Sequence, residues 1–329
     1  MTPKNTTELK EMIQEMGLNY LRFSTTQDCN ARCTFCHNEG QKFGARGKLA
    51  QPKPSFLSGD EINYIASFFS DVFREVKLTG GEPTLTSNLD EIAGIFASHN
   101  YRCSLTTNGV ILDAQMQQRL KDTGVRKVNV SLSTLDRAQY ELFNRIEGGL
   151  DRVLENLETL PKYFGESRIN FMGSPQTVPS QVLPMAELSA RTGITISCLE
   201  LASTKTLSEP TSAKIISYLS DSLGINSTEE QAGRFGAKKI YTFGDGSRWE
   251  VDDFREKDYR TRAFDNDVCG SCQARDNCAE GPYALRVGYD GTLRLCLQNK
   301  ELTFRFGEGG YESPETFQNT NLKRRLVIV

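Results

Sequence analysis

Histidine and tryptophan are scarce: the 329 residues include two histidines, His37 and His99, and one tryptophan, Trp249. No run approaches the roughly 18 consecutive apolar residues that a membrane-crossing helix needs, and the stretch after Met1 lacks a hydrophobic signal core. The sequence therefore predicts a cytoplasmic protein with no membrane partner. Neither sign of charge prevails, with 39 basic against 42 acidic residues, well mixed, and a net charge of −3. That leaves no basic stripe of the kind that grips nucleic acid, and it favours a small-molecule or peptide substrate. Internal repeats and low-complexity tracts are absent as well. Cysteine, by contrast, is plentiful at nine. In a reducing compartment such residues read as metal ligands or reactive thiols ahead of disulfides.

Seven of the nine fall in two clusters. The first is Asp28-Cys29-Asn30-Ala31-Arg32-Cys33-Thr34-Phe35-Cys36-His37, a C-x3-C-x2-C spacing just after an extended run. Three thiolates can hold three irons of a cubic [4Fe–4S] cluster and leave the fourth open to chelate a small molecule. A zinc site needs a fourth ligand, and only His37 is near enough in sequence to supply one. The second cluster is Cys269-Gly-Ser-Cys272 followed by Cys278 and Cys296, with Asp290-Gly291 as a hairpin turn before the last. Its spacing alone suits a zinc ribbon. Cys103 and Cys198 sit in strand-like runs and read as small buried apolar residues. Cys198 alternatively points into a barrel interior, where it would return a hydrogen atom to a product radical.

Strand-like and helical patterns alternate along the chain. Strands are expected at Tyr20–Thr25, Glu75–Thr79, Arg102–Thr106, Lys127–Leu132, Arg168–Met172 and Ile194–Leu199. Helices are expected near Gly59–Phe73, Leu89–Ser98, Ala114–Asp122, Leu150–Leu160 and Ser180–Thr192, with Ser58 as an N-cap and Gly124 and Gly193 as helix ends. Such alternation predicts an α/β fold, a partial (β/α)6 TIM barrel with its chemistry at the C-terminal strand ends. Those ends read Leu78-Thr79-Gly80-Gly81-Glu82-Pro83, Thr106-Thr107-Asn108-Gly109 and Ser131-Leu132-Ser133-Thr134. Residues 1–18 are expected as a helical extension, 19–202 as the barrel, 203–262 as a linking or capping region and 263–329 as a small C-terminal auxiliary iron–sulfur domain. The capping region carries no motif; Tyr241, Arg248 and Tyr259 are its candidates for meeting substrate.

The three-cysteine segment, with an aromatic Phe35 before its last cysteine, resembles the signature of the radical S-adenosylmethionine (radical SAM) superfamily. The resemblance implies that Cys29, Cys33 and Cys36 bind a [4Fe–4S] cluster whose open iron holds SAM. Reductive cleavage then gives a 5′-deoxyadenosyl radical that abstracts a hydrogen atom from substrate, the electron coming from a flavodoxin or ferredoxin. Together with Leu-Thr-Gly-Gly-Glu-Pro, Thr-Thr-Asn-Gly, Val-Asn-Val-Ser-Leu-Ser-Thr-Leu-Asp and Gly149-Leu-Asp-Arg-Val-Leu154, the segment resembles the MoaA-like enzymes, the GTP 3′,8-cyclases, from about Tyr20 to Leu201 and again near the C-terminus. By that resemblance Phe35, Gly80, Gly81, Glu82 and Ser131 contact SAM, while Arg22, Lys77, Thr106, Arg168 and Arg286 contact a nucleotide or nucleoside. Cys269, Cys272, Cys278 and Cys296 then hold a second [4Fe–4S] cluster, as in twitch and SPASM auxiliary domains.

Three departures from the cyclases set the remaining expectation. A fourth cysteine, Cys278, would close the auxiliary iron that binds guanine in that family; Ala284 replaces one of two arginines; and the chain ends in Leu326-Val-Ile-Val329 without a Gly-Gly pair. They predict a radical reaction on a nucleotide or nucleoside, by carbon–carbon bond formation or rearrangement, other than GTP cyclisation. The alternatives are a sugar or aminocyclitol dehydrogenase or epimerase, and a peptide maturase.

Overall fold

The structure, a computed structural model, describes residues 6–33, 36, 57–172, 178–199, 211–232, 237–252, 267–270, 272–273, 282–296, 303–307 and 310–312. Phe35, His37, Tyr259 and Cys278 lie outside them. After helix α1 (Thr6–Glu15) come β1 (Tyr20–Ser24), α2 (Gly59–Phe69), β2 (Glu75–Thr79), α3 (Leu89–Ser98), β3 (Arg102–Thr107), α4 (Ala114–Asp122) and β4 (Val125–Ser131). Helices α5 (Arg137–Asn144) and α6 (Gly149–Tyr163), β5 (Arg168–Met172), α7 (Val178–Thr192) and β6 (Thr195–Leu199) complete six parallel strands in sequential order. The expected strand and helix alternation is therefore present, with α5 as an addition.

Local chemistry accounts for the element ends. Ser58 accepts from the Glu61 backbone while the Glu61 carboxylate reaches back to the Ser58 N–H at 2.8 Å, a reciprocal cap that starts α2. Asp113 and Asp136 cap α4 and α5 in the same way, each accepting from the backbone three residues on. Gly124 and Gly193 follow α4 and α7 with φ of 102° and 73°, where a side chain would be strained.

Two further groups of strands lengthen the sheet beyond six. After α8 (Thr211–Leu223), β7 (Ile225–Ala232), β8 (Ala237–Phe243) and β9 (Arg248–Asp252) form an antiparallel set, and β9 lies parallel to β6. At the opposite edge β10 (Ala284–Val287) runs parallel to β1, and β11 (Thr292–Arg294), β12 (Thr303–Gly307) and β13 (Gly310–Glu312) follow antiparallel. The hairpin expected at Asp290-Gly291 is present between β10 and β11, and β10 continues the barrel sheet beside β1. The 203–262 region likewise supplies wall strands.

Strand alternation sorts the residues by face. Leu21, Phe23, Val76, Leu78, Leu105, Val128, Val130, Ile169, Phe171, Ile196 and Trp249 are buried in one core together with Ile62, Phe69, Ile92, Phe96, Leu157 and Met185 from the helices. Each such side chain contributes about 1.5–3 kcal/mol on burial. Cys103 and Cys198 belong to this core, at 1% and 2% exposure. Cys198 therefore packs under the helices, which rules out the interior hydrogen-donor role. The opposite, inner face is polar.

Candidate active site

The cluster loop leaves the end of β1 and is held by backbone bonds to the end of β2. Thr25 N donates to Thr79 O at 2.8 Å, Gly81 N to Thr26 O at 2.7 Å and Glu82 N to Asp28 O at 2.7 Å. A side chain at Gly81 would place its Cβ 2.1 Å from Asp28 O, and Gly80 has φ of 148°. The paired glycines thus let two segments of this chain's own backbone close on each other, an approach that any larger residue would block. No hydrogen bond to the Gly80 or Gly81 carbonyl occurs among the described residues.

Glu82 ties this junction to the next strand. Its side chain is 2% exposed and accepts from Thr84 N and Oγ1 at 3.1 and 2.6 Å, Thr107 Oγ1 at 2.5 Å and Asn108 N at 2.7 Å. Burial pushes its carboxyl above the ordinary range, and the Thr107, Thr84 and Asn108 donors work against that shift. With its oxygens so occupied, Glu82 can shape a ligand site through its backbone and its neighbours. Asn108 then donates through Nδ2 to Asn30 Oδ1 at 2.7 Å, which joins the Thr-Thr-Asn-Gly tip to the cluster loop.

The loop carries Cys29 and Cys33, both half-buried, and Cys36, which is exposed. Burial, and after it the Glu82 carboxylate, pushes the Cys29 thiol up to about 12, and Cys33 and Cys36 act on it as well. The Cys33 thiol donates to Asn144 Oδ1 at 3.2 Å, and Arg32 N donates to Asn144 O at 2.9 Å, so the end of α5 fixes the loop from its other side. Among the described residues no three Cys, His or carboxylate side chains converge closely enough for a single metal ion. Among the described residues the buried Asn30 Nδ2 has no hydrogen-bond partner, as a donor turned to a cluster sulfide or a bound ligand would have none. The chemistry of this donor set fits a [4Fe–4S] cluster.

The inner face beside the loop is basic. In register across neighbouring strands, Arg294 lies opposite Arg286, Arg286 opposite Arg22, and Arg22 opposite Lys77. Lys77 continues through Ser104 to Lys127, and Thr106 through Asn129 to Arg168. Four of the five expected nucleotide contacts, Arg22, Lys77, Arg168 and Arg286, are cations of this wall, and Thr106 lies on the same face. Like charges directly opposite one another destabilise a sheet. Aromatic rings relieve part of that cost: Lys77 Nζ sits 4.0 Å from the Tyr20 ring centre, and the Arg286 guanidinium lies 4.6 Å from that of Tyr283. Ser131 is exposed at the end of β4.

Four charged residues of this wall, Arg294, Lys127, Glu250 and Lys238, were not among the expected contacts. Lys127 shares a face with Asn129 and Ser131 by alternation, a signal that was available. Burial, then Arg168, lowers its ammonium to about 8, with Lys238 and Lys77 acting the same way and Glu250 opposing. Glu250 and Lys238 come from β9 and β8, in the region without motifs. Of the residues expected from that region, Tyr241 lies on the opposite face beside Phe243, ring centres 6.3 Å apart. Arg248 faces Glu229 at 4.0 Å.

In the second cysteine group, Cys269 is buried and Cys272 and Cys296 are half-buried, with Cys272 N donating to Cys269 O at 3.2 Å. Cys278, expected as their fourth, lies outside the described residues. No helix among the described residues is long and apolar enough to cross a membrane.

Residues 23–188 match the Radical SAM superfamily. The chain is 31% identical over 321 residues to a probable GTP 3′,8-cyclase of Thermococcus kodakarensis, covering 92% of this chain and 94% of that protein. It is 27% identical to the GTP 3′,8-cyclase of Ectopseudomonas mendocina over 84% of this chain and 82% of that one. Among solved structures, Streptococcus suis SuiB superposes with a TM-score of 0.58 at 13% identity, covering 97% of this chain and 67% of SuiB, a likeness of fold. These relatives overturn the expectation of a reaction other than GTP cyclisation, since similarity to proteins of that name runs nearly end to end. That expectation weighed single positions, Cys278, Ala284 and the terminus, above the wall they leave intact. A [4Fe–4S] cluster and SAM accompany the fold and signature, and the chain belongs to the radical SAM superfamily as one of its MoaA-like enzymes.

Proposed function

We propose that this enzyme acts on GTP, joining C3′ of the ribose to C8 of the base by radical chemistry. The observation that carries this reading is the row Arg294, Arg286, Arg22 and Lys77, four cations in register on adjacent strands, continued by Lys127 and Arg168. A triphosphate is complementary to such a row of cations, and cations fixed on the wall then orient the sugar toward the strand tips. Arg22, Lys77, Arg168 and Arg286 hold the phosphates in this account, and Thr106 meets the nucleoside. A SAM-loaded cluster held by Cys29, Cys33 and Cys36 supplies the hydrogen-abstracting radical. Phe35, Gly80, Gly81 and Ser131 border the SAM site, while Glu82 fixes the tips around it.

A second cluster on Cys269, Cys272, Cys278 and Cys296 belongs to the same proposal, in an auxiliary unit from about residue 263. So do a flavodoxin or ferredoxin as reductant and a cytoplasmic setting, where thiols stay reduced. The test is anaerobic incubation of the reconstituted, reduced protein with SAM and, separately, GTP, ATP, guanosine and no nucleotide. GTP is expected to raise 5′-deoxyadenosine formation well above the others and to be consumed to a product of unchanged mass. Formation indifferent to every nucleotide would overturn the reading.

A further inference from the structure

Glu250 places a carboxylate within the basic wall. Its side chain is 3% exposed; Oε2 accepts from Arg168 Nε at 2.7 Å and forms an ion pair with Nη2 of the same guanidinium, also at 2.7 Å. Oε1 accepts from Lys238 Nζ at 2.8 Å and from Ser197 Oγ at 3.3 Å. Lys127 also feels this carboxylate. One carboxylate thus holds a guanidinium through one oxygen and an ammonium through the other, on the same inner face that carries Lys127, Lys77, Arg22 and Arg286. The carboxylate also occupies Arg168, a cation that the phosphate reading needs.

We propose that Glu250 is a resident counter-anion: it neutralises Arg168 and Lys238 while the barrel is empty, yields them to a phosphate group when substrate enters, and thereby sets the barrel's affinity for polyanions. The inference rests on the reading of this wall as a phosphate site. Carboxylate and phosphate accept from the same planar guanidinium edge, so one can replace the other on Arg168. The exchange moves no covalent bond. Its energetic signature is opposite to that of a supporting residue: removing the carboxylate strengthens anion binding, because the ligand no longer competes with it or is repelled by it.

The test is calorimetric binding of inorganic tripolyphosphate to the cluster-loaded wild type and to Glu250→Gln. The variant is expected to bind tripolyphosphate at least about tenfold more tightly, orthophosphate with a smaller gain, and guanosine unchanged. Equal or weaker binding of tripolyphosphate by the variant, or none by the wild type, would overturn the inference. Since Glu250→Gln leaves buried cations unmatched, Glu250→Asp is measured beside it. Its shorter reach loosens Arg168, with an expected gain of about threefold, and it decides the question if the glutamine variant does not fold. GTP consumption is followed in parallel. Tighter tripolyphosphate binding without GTP turnover leaves the counter-anion standing and removes the cyclase reading; turnover with unchanged tripolyphosphate affinity does the reverse.

Discussion

Gly81 has no room for a side chain, since a Cβ there would lie 2.1 Å from Asp28 O and 2.6 Å from Gln27 O, both backbone atoms. Gly81→Ala is expected to cost about 1–3 kcal/mol in denaturant unfolding and to lower iron retained after reconstitution, because the cluster loop must shift. Full iron content with unchanged stability would contradict this account of the junction. The sequence sets Gly80 and Gly81 against SAM by resemblance; it could not say that this chain's own cluster loop closes on them, a contact across more than fifty residues. Lys127 offers a second residue-scale prediction. Burial and Arg168 lower its ammonium to about 8, whereas an unfolded chain holds that proton to about 10.4. Between those values the unfolded state binds more protons, so this residue makes stability rise with pH across that window. Below it, the full cost of the buried charge remains. Anion binding runs the other way and weakens as pH passes about 8. Lys127→Met is expected to remove both slopes and to stabilise the ligand-free protein at pH 7 by about 1–3 kcal/mol, read by unfolding curves and tripolyphosphate titrations over pH 7–10.

Helices α2, α4 and α5 begin on side-chain caps and α4 and α7 end at glycines, and such local signals made much of the strand and helix alternation legible. Ser58 with Glu61 forms the reciprocal cap of α2, and Ser58→Ala is expected to cost about 1 kcal/mol while leaving SAM cleavage unchanged. A loss of activity out of proportion to stability would tie α2 to the site more directly than its packing does. Helix α5 was not foreseen. It is eight residues long and buries only Tyr140 among them, too few apolar positions to establish a period. Its role is positional, since its last residue, Asn144, meets both Arg32 N and the Cys33 thiol. The turn signal Gly244-Asp245-Gly246 marks the hairpin between β8 and β9, which is present. What was illegible is where β7, β8 and β9 join the sheet, because charged residues such as Lys238 and Glu250 do not point to a wall beside β6. Pairing partners distant in sequence then turn two of those charges inward.

At the scale of the whole molecule, one sheet carries both chemical requirements. Its strand tips hold the three-cysteine loop, and its inner face carries the cations. The sequence shows the loop by its cysteine spacing and names Arg22, Lys77, Arg168 and Arg286 by resemblance to the cyclases. It missed the continuity of the wall, because β10 and β9 join the sheet's two sides from distant parts of the chain. Anaerobic iron and sulfide analysis tests the proposed pair of clusters. Wild type is expected to bind eight irons, and the Cys29→Ala, Cys33→Ala, Cys36→Ala triple variant four, since each cubic cluster holds about four. Four falling to zero, with zinc retained, would return the Cys269, Cys272 and Cys296 group to the ribbon reading.

Closing a C3′–C8 bond requires the hydrogen on C3′ to leave, and the radical formed from SAM is the group that would take it. The most direct measurement is therefore isotope transfer from GTP carrying deuterium at C3′, with the 5′-deoxyadenosine analysed by mass spectrometry after anaerobic turnover. The account predicts one deuterium in that product when the labelled GTP is present. Abundant 5′-deoxyadenosine containing no deuterium would contradict it.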